Sequence, residues 1–149
     1  MEYFNNYTVK YRAWDKERKI MAPVRSLLWS QDQIIVEVVR TDPFNQNSTF
    51  ERFYDPVLMQ YTNHRDISLN DICVGDLLVH CPHKRRPEIT DDNIHMVIWA
   101  ENGFYLWRYR SEDMKPFSPF GITELFKIVG NVFENPELLG EDLQKGMMA

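Results

Sequence analysis

A chain of 149 residues, 44% hydrophobic and 26% charged, fits one domain with room for two lobes; lacking long like-charge runs or polar repeats, it falls outside the disordered and fibrous classes. The balance of 17 basic against 22 acidic residues leaves −5, which opposes the basic field needed to wrap duplex nucleic acid. Two cysteines, Cys73 and Cys81, are too few for a disulfide scaffold; with no signal-peptide pattern and no long apolar span, free thiols and a cytoplasmic location are expected.

The dominant hydrophobic period is two, the signature of half-buried strands. Tyr7, Val9 and Tyr11 alternate with Thr8, Lys10 and Arg12, and the charged stretch 15–19 reads as a turn into a return strand near Ile20 and Met21. VRSLLW and QIIVEVV follow as a further hairpin, split by Ser30, Gln31 and Asp32, with the β-branched Ile34, Ile35, Val36, Val38 and Val39 favouring strand over helix. TDPFNQNST, residues 41–49, is the strongest internal loop, and FERFY and VLMQYT flank the turn-forming pair Asp55-Pro56. The expectation is a single domain over residues 1–149; if it has two lobes, the seam lies near 41–56.

IHMVIWAENGFYLWRYR reads as a hairpin, because Asn102-Gly103 suits a two-residue type I′ turn whose twist matches the flanking strands. The stretch 126–133 suits a final strand, in which Gly130 marks a bulge or a backbone closely approached by another segment. After it, Asn135 is expected to cap a short helix, with Pro136 in its first turn, Glu137 complementing its positive end, and Leu138 and Leu139 pinning it to the core. GEDLQKGMMA reads as a frayed tail.

Three segments at wide spacing carry a family resemblance. VKYRAWDKERKIM contains Arg12, Trp14 and Asp15; LMQYT, with Gln60 and Tyr61, precedes DICVGDLLV, with Gly75 and Asp76; and KIVGNVFENPELL contains Gly130, Asn131, Asn135 and Pro136. Together they resemble the YopX family of phage and prophage proteins from about residue 9 to residue 139. NHRDISLN, residues 63–70, stands where that family has a glycine-containing loop, and HCPHKRRPEITDDN is longer than its usual connection. The resemblance implies phage or prophage origin in a bacterial host and a β-rich fold, and it brings no reaction with it. Gly75-Asp76 before Leu77-Leu78-Val79 matches the turn into a strand of small SH3-like barrels, where glycine supplies the bend and aspartate bonds local backbone donors. The fold class expected is therefore mainly β, with small SH3-like barrel-type lobes, hairpins and a short C-terminal helix. The motif residues are read chiefly as fold determinants.

Cys73, His80, Cys81, His83 and His95 are the one cluster with metal-ligand chemistry, but seven residues separate the two cysteines, wider than the roughly two to four usual between paired cysteines of structural zinc sites, and no metal is assigned. Cys81 has His80, His83 and the basic run Lys84, Arg85 and Arg86 nearby, a setting in which a thiol could act as a nucleophile; no oxyanion-hole motif accompanies it. No phosphate loop, dinucleotide fingerprint or paired-carboxylate motif is visible, so no catalytic or cofactor-binding residue is assigned. Lys84, Arg85, Arg86, Arg108 and Arg110 are the candidate nucleic-acid contacts, since arginines beside aromatics can hold single strands; the opposing reading puts Trp107 and Tyr109 in the core and Arg108 and Arg110 in solvent. The functional expectation is a non-catalytic binding or assembly module, self-associating through sheet edges, with a phage or host protein partner. Nucleic-acid binding in phage regulation and an enzyme using Cys81 are the alternatives.

Overall fold

The computed structural model describes residues 9–82, 88–90, 92–100, 103–108, 114–117 and 125–141. The chain is mainly β, built from two antiparallel sheets, and its contacts divide it into two compact units between Tyr61 and Thr62.

The first unit holds β1 (Tyr11–Asp15), β2 (Ile20–Trp29), β3 (Ile34–Thr41), β4 (Ser48–Tyr54) and the start of β5 (Val57–Arg65), in the order β4-β3-β2-β1-β5. The charged turn after β1 is tied by Asp15, whose carboxylate accepts the Glu17 and Arg18 N–H groups at 3.0 and 3.1 Å and the Arg18 Nε–H at 2.7 Å. Those bonds, the Arg18 side chain first, hold the Asp15 carboxyl below its ordinary pKa. Lys19 completes the reversal at a φ of 55°.

Met21 and the VRSLLW run form one ten-residue strand rather than two, with Pro23 inside it. Pro23 cannot donate to a ladder, and the pairing of β2 with β3 shifts register between Val24 and Ser26, immediately beyond it. Alternation then sends Val36, Val38 and Phe53 inward with Ala13 and Ala22, forming the core of this unit. Asp55, at a φ of 48°, links the β4 end to β3: it accepts the Ile34 N–H on Oδ1 and donates its own N–H to the Ile34 carbonyl, both at 2.8 Å.

The second unit holds the end of β5 followed in the strand order by β6 (Asp71–Cys73), and a separate sheet of β7 (Asp76–His80), β8 (Ile94–Ala100), β9 (Gly103–Arg108), β10 (Met114–Pro116) and β11 (Phe126–Asn131), ordered β10-β9-β8-β7-β11. The predicted hairpin is β8–β9, paired from His95↔Arg108 to Ala100↔Gly103. This five-stranded sheet carries an apolar cluster on each face. One face packs Leu77, Val79, Ile94 and Met96 against Val132 and Leu139; the other packs Leu78, Val97 and Leu106 against Ile72.

Two features of the expected architecture change. The pairings among the described residues make open sheets, with β4 ending one and β10 and β11 ending the other, so they are not closed barrels. The C-terminal helix is a single 3-10 turn, Pro136–Leu138, and Asn135 makes no side-chain cap bond to it. Asn135 faces the other way: its Oδ1 accepts the Asn131 N–H at 3.1 Å, a bond incompatible with capping forward. The readings placed on Tyr7, Thr8, Asn102, Tyr109 and residues 142–149 lie outside the described residues.

Candidate functional site

The motif residues sit where backbone direction changes or strands pair. Arg12 is half-buried opposite Pro23 and Met59, and Trp14 is buried opposite Met21 and Val57. Gln60 pairs with Tyr11, and the Tyr61 N–H donates to the Lys10 carbonyl at 2.9 Å. Gly75 has a φ of 90°, left-handed territory that suits glycine; its N–H donates to the Val97 carbonyl and its carbonyl accepts from Val132, so both its backbone groups are used. The buried Asp76 carboxylate accepts the Cys73 N–H at 2.8 Å.

The stretch GNVFEN forms a comparable knot. Asn131 Oδ1 accepts the Phe133 and Glu134 N–H groups at 3.1 and 2.9 Å, while its Nδ2 donates to Glu134 Oε1 at 3.0 Å. The β7–β11 register shifts between Ile128 and Gly130, and the Asn135 side chain lies over Gly130. Bulge and close approach thus coincide at one glycine. What these groups do chemically is satisfy backbone donors that a turn would otherwise leave bare.

Neither Cys73 nor Cys81 forms a disulfide, and both are buried. Among the described residues no group of three His, Cys, Asp or Glu side chains converges in a way that could hold a metal ion. His83, Lys84, Arg85, Arg86 and Arg110 lie outside the described residues.

Arg108 does not stand alone. Register places Phe126 opposite His80, Leu78 opposite His95, His95 opposite Arg108, and Leu106 opposite Lys115. Residues two apart share a face, so Phe126, His80, His95, Arg108 and Lys115 lie on the same side of the sheet in a diagonal row across all five strands, stepping by two residues between His80 and His95 and again between Arg108 and Lys115. The Phe126 ring contacts both imidazoles, with centroids 5.2 Å from His80 and 5.1 Å from His95. Arg108 Nε–H donates to the Asp92 carbonyl at 3.0 Å, and His95 Nδ1 lies 3.2 Å from the Asn93 carbonyl. Burial, aided by the positive charges of Arg108, Lys115 and His80, pushes the His95 pKa down.

Trp107 points to the opposite face and packs against the Leu77 core, as alternation suggested; Arg108 is half-buried rather than free in solvent, on the face that carries the Leu78 cluster. Period two assigns side chains to opposite faces but does not reveal that both faces are occupied. His80 and His95 stand out in the sequence as titratable groups, whereas Lys115 and Phe126 carry no local signal; only cross-strand register joins them.

A second surface lies on the outer side of β2, β3 and β4. Leu28, Ile35 and Tyr54 form one cross-strand row, Val39 pairs with Phe50 farther along, and Leu28, Tyr54 and Phe50 are 60%, 58% and 56% exposed. Arg25 stacks on Phe50 at 4.1 Å and pairs with Glu37 at 3.5 Å.

A family model described as "YopX protein" matches residues 10–140. The crystal structure of protein EF1440 from Enterococcus faecalis is similar to this chain with a TM-score of 0.57 and 24% identity, over 91% of this chain and 100% of that one. At that identity the likeness concerns the fold. No curated protein matches.

Proposed function

This chain belongs to the YopX family, and from that premise we propose a phage- or prophage-encoded cytoplasmic protein that serves as a non-catalytic binding and assembly module, working as a homo-oligomer. The observation that carries this reading is the open outer face of β2, β3 and β4, where three large apolar side chains remain more than half exposed. Among the described residues β4 also ends its sheet, so its outer edge offers backbone groups to another strand.

A second copy is the occupant that this edge suits. Antiparallel two-fold pairing of β4 about Glu51 sets Phe50 of each copy opposite Arg52 of the other, giving a cation-π contact twice by symmetry. The like charges brought together at Glu51 are offset within each chain, where Arg18 and Arg40 lie 3.1 and 3.6 Å from its carboxylate. The SH3-like character belongs to the same proposal: Arg18, in the β1–β2 turn, reaches Glu51 and stands 5.0 Å from the Phe53 ring on β4, which supports a sheet coiling toward a barrel. The alternative of an enzyme using Cys81 has less support, since that side chain is buried.

Light scattering coupled to size exclusion tests the proposal. The wild-type chain is expected at twice the monomer mass or more, and Phe50→Asp at the monomer mass with an unchanged unfolding midpoint. A monomeric wild type, or an oligomer indifferent to Phe50→Asp, would overturn it.

A further inference from the structure

We propose that the row Phe126, His80, His95, Arg108 and Lys115 is a binding site for single-stranded nucleic acid, in which Arg108 and Lys115 hold phosphate and the ring surfaces of His80 and Phe126 receive a base. This is independent of self-association through β4 and extends the chemistry of the second unit.

The placement is set by strand register: one side chain from each of five strands, all on one face, along a diagonal. With neighbouring strands about 4.8 Å apart, the diagonal crosses roughly 19 Å of sheet, enough to follow a short stretch of extended backbone. Among the described residues the ion pairs of this chain fall on Arg18, Arg25, Arg40 and Arg65, and none joins a carboxylate to His80, Arg108 or Lys115. Among the described residues, the charged groups that act on His95 are cations, namely Arg108, Lys115 and His80. A protein of net charge −5 has thus gathered local positive charge on one end of one sheet face.

The chemistry at each position suits a nucleotide. The Arg108 Nε–H is spent on the Asp92 carbonyl, which fixes the guanidinium plane and leaves both terminal amino groups to grip a phosphate. Lys115 is exposed and adds a point charge from the next strand. His80, exposed and held at an angle to Phe126, presents a ring on which a base can stack. An acidic peptide would engage the cations alike but has no use for the ring surfaces, and a duplex hides its bases, so the single strand is favoured.

Fluorescence anisotropy of a short labelled oligothymidylate at low salt and near-neutral pH, with the intact protein, tests this. Saturable binding is expected, with Arg108→Gln plus Lys115→Gln weakening it about tenfold or more and lowering the slope of log affinity against log salt by roughly 1.4, the value for losing two single-strand phosphate contacts. His80→Ala should weaken oligothymidylate binding several-fold while leaving the salt slope unchanged, a split that a purely electrostatic surface would not produce. Unfolding midpoints establish that the variants are folded. No binding at low salt, binding unchanged in the double variant, or equal competition by polyglutamate would each overturn the assignment.

Discussion

Replacing Gly130 with alanine adds a single methyl group, and two rules give it opposite signs. The backbone of Gly130 is not in the left-handed region, so the unfolded-chain argument alone favours alanine by about 0.4–1 kcal/mol. The new Cβ would meet Asn135 Oδ1 at 2.5 Å, its Cγ at 2.7 Å and its Cβ at 2.9 Å. The last contact cannot be relieved by rotating the side chain. Overpacking costs about 1–3 kcal/mol. If Asn135 withdraws, the Asn131 N–H loses the acceptor it now has at 3.1 Å, and an unsatisfied donor costs about 1–3 kcal/mol. The net expectation is destabilisation of roughly 1–4 kcal/mol, read as a lower urea midpoint at unchanged slope. The diagnostic is a double-mutant cycle. In an Asn135→Gly background the obstruction is gone, and Gly130→Ala should become neutral or stabilising by up to about 1 kcal/mol. An equal cost in both backgrounds, or stabilisation in the wild type, would refute the reasoning.

Asp66, buried to 1% exposure, accepts the Ser68 and Asn70 N–H groups on Oδ1 at 2.9 Å and the Ile128 N–H on Oδ2 at 3.0 Å. Asp66→Ala should therefore cost about 3 kcal/mol or more in urea unfolding, with Asp66→Asn, which keeps one acceptor oxygen, losing less. Burial holds the rings of both His64 and His95 below the ordinary histidine pKa of 6.5. The unfolded chain then takes up protons first as pH falls, so this contribution to stability is complete above 6.5 and declines as pH drops through that value toward the lower folded pKa values. Urea midpoints measured between about pH 8 and pH 5.5 should fall less steeply in the His64→Gln/His95→Gln double variant; an equal fall would exclude these rings as the cause.

Strand identity was legible because it is written in single residues and their immediate neighbours. Asp55-Pro56 marks the β4–β5 turn, residues 42–47 join β3 to β4, and Gly130 announces its bulge. The return strand near Ile20 and Met21 and the VRSLLW run read as separate pieces, yet they are one strand, β2, which passes through Pro23 beside a register shift. The final helix was overestimated because Asn-Pro-Glu is a common helix start, and sequence does not show that the Asn135 carboxamide is already committed backward to Asn131. Asp66 was missed for a similar reason, since one of its three donors, Ile128, lies 62 residues away. The row across the five strands was the least legible feature of all. His80, His95 and Arg108 draw notice separately in their own segments, Lys115 and Phe126 draw none, and only the pairing of strands distant in sequence brings the five together.

Val132 and Leu139 complete the face formed by Leu77, Val79, Ile94 and Met96, and Leu77 is made 62 positions before Leu139 in synthesis. At a translation rate of about 5–20 residues per second, that apolar surface waits several seconds on the ribosome for its cover. The closing turn therefore sets when the nascent second unit stops being a target for chaperones and proteases, and a message truncated before the codon for Asn131 would yield a product marked for clearance.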